Sequence, residues 1–369
     1  MRKYNFAAAL LVAVLLAGCG GGGSGGSQAP KVSFTSEVTF GDSLSDVGSY
    51  AVGTVTALGG GGQYTINGTG KNWTELMAAQ LGLPAPCAAQ TGLNGSATYG
   101  FSVPVVNHAG CTDYAQGGAR VTNPVGPGNA LLGGANAILG QLTVPITIQI
   151  DNHLAAVGGK FSGSEIVFMM AGANDVFMEL ANYATTVTAT PSAAATAAAT
   201  AVTNMATAAT ELAGYVNTKI IGNGARYVVV VNMPDVSSTP FAAAQELAAP
   251  GTKAFINTLV TTFNSQLQTL LAGNPNVLFV DAYTVHRDEV ANPAAYSLSN
   301  VTTPACNLTI SNVTNPTNPI GSSLMCNAGN LSPGVNSNYL FSDSVHPTPY
   351  GYLLLARLVS KDMLIKGWL

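Results

Sequence analysis

Charge is the scarcest property of this 369-residue sequence: Asp, Glu, Lys and Arg make up 8% of it, against roughly a quarter in an average soluble chain. Thirteen Lys and Arg face seventeen Asp and Glu, for a net charge of −4. Thirteen cations dispersed over the whole length build no basic stripe, which argues against a nucleic-acid partner. Histidine is rarer, with four copies, and no HExxH, EF-hand or P-loop pattern occurs. No metal and no cofactor are therefore expected. No heptad or collagen repeat is present. After residue 364 no run of alternating strands follows, so a fused membrane barrel is not expected. What is abundant is apolar material, 47% of the residues, enough to bury a large core and to exclude disorder.

The longest purely apolar stretch near the N-terminus, residues 6–16, follows Arg2 and Lys3. As a helix it reaches about 16 Å, far short of a bilayer core, and reads as the apolar region of a signal peptide. It ends in Leu16-Ala17-Gly18-Cys19, which resembles the bacterial lipoprotein lipobox. That resemblance implies removal of residues 1–18 and lipidation of Cys19. Gly20 is not the Asp that resembles an inner-membrane retention signal, so an outer-membrane or cell-surface location is expected. Ordinary cleavage with a periplasmic or secreted product is the alternative. Residues 19–35 then form a Gly/Ser-rich tether, of which residues 20–27 reach about 16 Å as a flexible chain. Gly22-Gly23-Ser24-Gly25-Gly26 matches the G-x-S-x-G nucleophile elbow by letter. A glycine tether supplies neither the strand nor the helix that motif needs, so Ser24 is set aside.

Four further cysteines remain, Cys87, Cys111, Cys306 and Cys326. In an exported chain they suggest two disulfides with three connectivities. Local pairing of Cys87 with Cys111 and of Cys306 with Cys326 is the expected one. Metal binding is the alternative, but no pair has C-x2-C spacing.

Residues 36–369 read as one α/β domain. Short apolar runs at 37–40, 165–170, 227–232 and 277–281 have the continuous character of strands buried on both faces. Helical stretches lie between and after them: from about Ser45, at 193–216, at 253–271 and at 347–364, with Pro347 suited to a first helical turn. The alternation predicts a doubly wound parallel sheet with ligands at the strands' carboxyl ends. Residues 59–70, 84–110 and 301–338 are rich in Gly, Pro, Asn and Thr and read as long surface loops. The N-x-[ST] sequons in them, such as Asn67 and Asn307, are by-products of that composition.

The polar residues after the strands are the ones to weigh. Gly41-Asp42-Ser43-Leu44-Ser45-Asp46 follows the first strand. A serine there, at a helix start, sits where an oxyanion can be bound, although Ser43 or Ser45 could equally cap a helix. Gly172-Ala173-Asn174-Asp175 follows another strand, where Asn and Asp are commonly turn residues. Asp343-Ser344-Val345-His346-Pro347-Thr348 places an Asp and a His three apart across a turn, so that one imidazole nitrogen can be held and the other left as a base. His286, with Asp281 five residues before it, is the rival histidine. His153 reads as a surface or partly packed helical residue, and His108 as a solvated loop residue.

Together with Gln116-Gly117-Gly118-Ala119, these blocks resemble, in order, those of the GDSL, or SGNH, family of serine esterases and lipases across roughly residues 36–364. The resemblance implies a three-layer α/β/α sandwich around a mainly parallel sheet, flavodoxin-like in style. It implies Ser43 as nucleophile, His346 as general base and Asp343 as the group that orients it. The oxyanion hole would comprise the N–H groups of Ser43 and Gly118 and the Asn174 amide. One departure is Asp113 before Tyr114, where the family's second block usually has Asn.

The implied activity is carboxylic ester hydrolysis through an acyl-enzyme, in the lipolytic branch of esterases and lysophospholipases. A small-molecule or lipid ester is the expected substrate, the lipid anchor the expected membrane attachment, and a monomer the expected state. Loops 84–110 and 301–338 are expected to shape the acyl pocket. An acyltransferase with the same triad, a carbohydrate O-acetyl esterase and a non-catalytic surface lipoprotein are the alternatives.

Overall fold

The computed structural model describes residues 31–308 and 322–369. The signal segment, Cys19, Ser24 and the tether as far as residue 30 lie outside the described residues. The last five residues of the expected 19–35 tether are not free chain: Val32 and Phe34 pack against the core and Thr35 N donates to Ser164 O (3.0 Å), because their apolar side chains can be buried where Gly and Ser cannot. Among the described residues there are six strands: β1 (Glu37–Gly41), β2 (Gln90–Asn94), β3 (Ser102–Asn107), β4 (Ile166–Met170), β5 (Tyr227–Val231) and β6 (Val277–Val280). The α-helices are α1 (Gly53–Ala57), α2 (Trp73–Gln80), α3 (Asn136–Leu139), α4 (Ile146–Ala156), α5 (Ala173–Ala189), α6 (Ala194–Tyr215), α7 (Pro240–Ala248), α8 (Thr252–Leu271), α9 (Ala282–Ala291) and α10 (Pro349–Lys366).

β1, β4, β5 and β6 form one parallel sheet in that order. Alternate side chains along these strands enter two cores, as a sheet covered on both faces requires. Val38, Phe40, Val167, Met169, Val228 and Val230 pack with α4, α5, α6 and α8. Ile166, Phe168, Met170, Val229 and Val231 pack on the other side with Trp73 and Met77 of α2 and with Tyr352, Val359 and Met363 of α10. The molecule is therefore an α/β/α sandwich, as the strand runs imply. α6 has few large side chains, but Ala201, Met205, Ala208, Ala209, Leu212 and Ala213 are buried, and small residues let it pack closely on the sheet and α8.

The free edge of β1 is partly covered by residues 112–116. Thr39 N donates to Thr112 O (3.0 Å), Tyr114 N to Thr39 O (2.8 Å) and Gln116 N to Gly41 O (3.2 Å). The chain thus lies to one side of β1 through this segment and to the other through β4. Such a reversal opens a crevice at the strand's carboxyl end, directly at Ser43.

Several local expectations are corrected. No helix starts at Ser45. One turn forms, and then the Asp46 carboxylate accepts the Gly48 and Ser49 N–H groups (2.9 and 2.7 Å), a side-chain competition that ends helical growth. Pro349, not Pro347, opens α10, with Thr348 as its cap. Residues 84–110 are not all loop: β2 and β3 pair antiparallel, from Gln90 with Asn107 to Asn94 with Ser102. β3 is mostly exposed, so no apolar alternation marked it. Segment 59–70 turns inward, with Tyr64 and Thr65 buried. Both disulfides have the local pairing, Cys87–Cys111 and Cys306–Cys326. The middle of the 301–338 stretch lies outside the described residues.

Candidate active site

Immediately after β1, Ser45 N and Asp46 N both donate to Asp42 O at 3.1 Å, a turn that presents Ser43 at the mouth of the sheet. Ser43 Oγ lies 2.8 Å from His346 Nε2. On the ring's other side Nδ1 lies 2.9 and 2.8 Å from the two Asp343 oxygens. With Nδ1–H donating to the carboxylate, Nε2 is the acceptor for the serine hydroxyl. Asp343 also accepts the N–H groups of Val345 (2.9 Å), His346 (2.7 Å) and Ser323 (2.6 Å). Burial pushes its carboxyl up, but the His346 ring and these donors outweigh burial and hold it at about 2. It is a carboxylate at any working pH.

The opposite wall is built around Gly117 and Gly118. Gly117 N donates to Asp46 Oδ2 (2.9 Å) and the Tyr50 hydroxyl donates to Gly117 O (2.8 Å), so this residue is held at both ends. Gly118 adopts φ +79°, and a Cβ there would sit 2.2 Å from Pro127 O, which only glycine satisfies. Among the described residues the N–H groups of Ser43 and Gly118 have no hydrogen-bond partner. Asn174 lies in the first turn of α5, buried, with Nδ2 donating to Ala119 O (2.8 Å). Asp175 beside it accepts Arg120 Nε (2.9 Å) and Val121 N (3.1 Å). Asp46 and Asp175 therefore tie the glycine loop to the ends of β1 and β4.

The sequence reading missed Tyr64. Its ring lies 4.7 Å from the His346 ring between centroids. A Cβ on Gly117 would come within 2.0 Å of its hydroxyl, so that hydroxyl reaches the glycine loop. An aromatic inside a Gly/Asn-rich stretch was the available signal. Asn67 was missed as well: its amide donates to Ser323 O and Cys326 O, both at 3.0 Å. It thereby holds the disulfide-bonded segment whose Ser323 N–H meets Asp343.

The other histidines fall elsewhere. Asp281 accepts Thr284 N (3.1 Å) and Asn232 Nδ2 (2.9 Å), not His286, which packs edge-on to Phe341 at 5.7 Å. His153 is not a surface residue: it is 3% exposed and packed among Phe40, Tyr114 and Phe161. Burial pushes it down to about 4. Its helix, α4, covers the sheet and faces inward at this position. His108 is exposed, with Nε2 2.8 Å from Thr91 Oγ1. Among the described residues no group of three His, Cys, Asp or Glu side chains could hold a metal ion. No helix among them is long and apolar enough to cross a membrane.

Two cavities meet at Ser43, Asn174 and His346. The smaller, about 80 Å³, is walled mainly by apolar side chains, including Phe177, Met233, Val285, Phe341 and Leu355. The larger, about 590 Å³, runs past Tyr64, Gly118, Asn136 and Gln141. Neither is lined by residues 84–110, and of the described part of 301–338 only Ser322 and nothing else contributes. Residues 84–110 thus do not shape these cavities, while the middle of 301–338 lies outside the described residues; α5, α9, α10 and residues 233–239 form the apolar wall, because they sit at the carboxyl ends of the strands.

This chain is similar to several known proteins. A 1.7 Å structure of an extracellular lipase from Streptomyces rimosus aligns at 16% identity over 89% of this chain and 99% of that one, with a TM-score of 0.39. An acetylxylan esterase from Geobacillus stearothermophilus, a catalytic mutant, aligns at 11% identity over 90% and 96%, with a TM-score of 0.36. The anther-specific proline-rich protein APG of Arabidopsis thaliana is 25% identical over 154 residues, 40% of this chain, and the aligned part spans 27% of that relative's length. The profile of the GDSL-like lipase/acylhydrolase family matches residues 38–359. With that match spanning most of its length, the chain belongs to the GDSL-like lipase/acylhydrolase family.

Proposed function

We propose that the chain hydrolyses acyl esters by nucleophilic catalysis at Ser43. The observation that carries this is the continuous line from Ser43 Oγ through the His346 ring to Asp343, with contacts of 2.8 to 2.9 Å. A serine hydroxyl is a poor nucleophile until a neighbouring base takes its proton, and that base needs a third group to fix its tautomer. His346 Nε2 accepts the Ser43 proton as Oγ attacks the ester carbonyl. The resulting imidazolium is stabilised by Asp343 and returns the proton to the departing alkoxide. Water then repeats the sequence on the acyl-enzyme and releases the acid.

Negative charge on the carbonyl oxygen is met by the N–H groups of Ser43 and Gly118 and the second Asn174 amide proton. Gly118 rather than Gly117 takes this role, because the Gly117 N–H is already given to Asp46. The apolar cavity suits the acyl group and the larger one the leaving alcohol. Residues 36–369 act as one hydrolase domain. Cleavage before Cys19, lipidation and the Gly/Ser-rich tether that follows hold that domain at a bacterial outer membrane or cell surface, in keeping with disulfides that form in oxidising compartments.

The test is hydrolysis of p-nitrophenyl esters from acetate to palmitate by the purified full chain, beside Ser43→Ala. Removal of the hydroxyl should lower turnover by at least about 10⁴-fold. A chain-length optimum above acetate supports an acyl-lipid esterase. If wild type and Ser43→Ala hydrolyse every ester equally, Ser43 is not the nucleophile. Transfer of the acyl group to glycerol in preference to water would instead make the enzyme an acyltransferase.

A further inference from the structure

The lining of the apolar cavity at Ser43 includes polar groups that the hydrolytic chemistry does not use. His286 and Glu289 lie three residues apart on α9, hence on one face of that helix, and both line the cavity. Glu289 is 6% exposed, and its carboxyl has no hydrogen-bond partner among the described residues. His286 Nδ1 is shut off from solvent and equally unpartnered. The third titratable group of this wall, Asp235, is already satisfied by Ser237 N and Oγ (2.9 and 2.5 Å), Ser238 Oγ (2.5 Å) and Arg287 (3.2 Å). The surrounding side chains are apolar: Met233, Val236, Val285, Phe341 and Leu358. A buried carboxyl without a partner is costly, and an apolar side chain at position 289 would close this wall without that cost.

We infer that Glu289, assisted by His286, is a subsite for a neutral hydroxyl carried on the acyl chain of the substrate. The preferred esters are those of hydroxylated acyl groups rather than of plain alkanoic acids. This rests on the reading of Ser43 as nucleophile and adds to it a specificity along the acyl chain.

The chemistry of the wall favours a neutral group over a cation. Burial, with a smaller contribution from Asp288, pushes the Glu289 carboxyl up to about 7. Burial pushes His286 down to about 4 against the pull of Asp235. Near neutral pH Glu289 exchanges between an acid that donates and accepts and a carboxylate that accepts, next to an uncharged imidazole. Either form of Glu289 can pair with a hydroxyl. An ammonium would have to be desolvated beside an apolar wall, where an ion pair gains little.

The experiment compares kcat/KM of the full chain on p-nitrophenyl esters of ω-hydroxyalkanoic and plain alkanoic acids of equal length, across a length series. At the length that brings the hydroxyl to the wall, the hydroxylated ester should be preferred about tenfold or more, the scale of a site built to bond a hydroxyl. Glu289→Leu should abolish the preference and Glu289→Gln should retain part of it. Thermal melts report whether either variant has lost its fold, in which case the wild-type ratio and the other variant decide. Equal kcat/KM for both esters at every length, a preference for ω-amino esters, or an unchanged ratio in a folded Glu289→Leu would overturn the subsite while Ser43-dependent hydrolysis stands. Loss of all ester hydrolysis in wild type would instead overturn the reading of Ser43.

Discussion

Asp343 and Glu289 are two acids buried to a similar degree at the same crevice, 1% and 6% exposed, yet their surroundings drive them in opposite directions. Asp343 sits in a tight turn that aims two backbone N–H groups at one oxygen, while Ser323 N–H and the His346 ring complete its shell. Glu289 projects from the side of a regular helix, whose backbone N–H groups are spent on the helix itself. The first is held at about 2 and the second pushed up to about 7. Burial therefore does not set the charge of a carboxyl; the availability of donors does. A turn supplies donors to its own side chains, and the middle of a helix supplies none.

The sharpest way to break this contrast is Asp343→Asn. The amide would donate toward the ring, invert the His346 tautomer and remove the base, for an expected loss of about 10⁴-fold in kcat. A loss of less than tenfold, measured on the best p-nitrophenyl ester with the melting temperature preserved, would mean that the well-supplied carboxylate does not orient the base. Asn174→Ala comes next. It removes one donor to the carbonyl oxygen and should cut turnover on the order of a hundredfold; activity within a factor of three of wild type would remove Asn174 from the oxyanion site.

The smallest effect concerns stability and extends the comparison to Glu37, another buried acid with few donors. Its one partner is the Thr39 hydroxyl at 3.1 Å, and Oε2 has none. Burial pushes it up to about 8 from an ordinary 4.5. The folded chain therefore holds this proton more tightly than the unfolded one. The associated stability is complete below about pH 4.5 and is lost as pH rises through about 8. Glu37→Gln should flatten the decline of melting temperature across that window. An identical slope in the two proteins would show that Glu37 does not carry its proton in the fold.

Much of the crevice could be read along the chain. The runs at 166–170 and 227–231 are buried on both faces, so nearly every residue there is apolar, and the blocks after β1 and β4 follow directly. The Asp343–His346 turn was legible because its partners are three residues apart. The β2–β3 hairpin was not, because an exposed strand carries no apolar alternation. Tyr64 and Asn67 were hidden in a stretch whose Gly and Asn content resembles that of a solvated loop.

The sequence by itself determined the parallel sheet, the strand-end location of Ser43 and Asn174 and the turn that joins Asp343 to His346, and it favoured the local pairing of Cys87 with Cys111 and of Cys306 with Cys326. These follow from short-range periodicity, turn chemistry and cysteine spacing. Only the tertiary structure decided that the Gly117 N–H belongs to Asp46, that Tyr64 packs on His346, that His286 stands apart from Asp281, and that Glu289 faces the apolar cavity. Each of those depends on the distance between segments far apart in the chain, and local propensity carries no information about a distance that only packing sets.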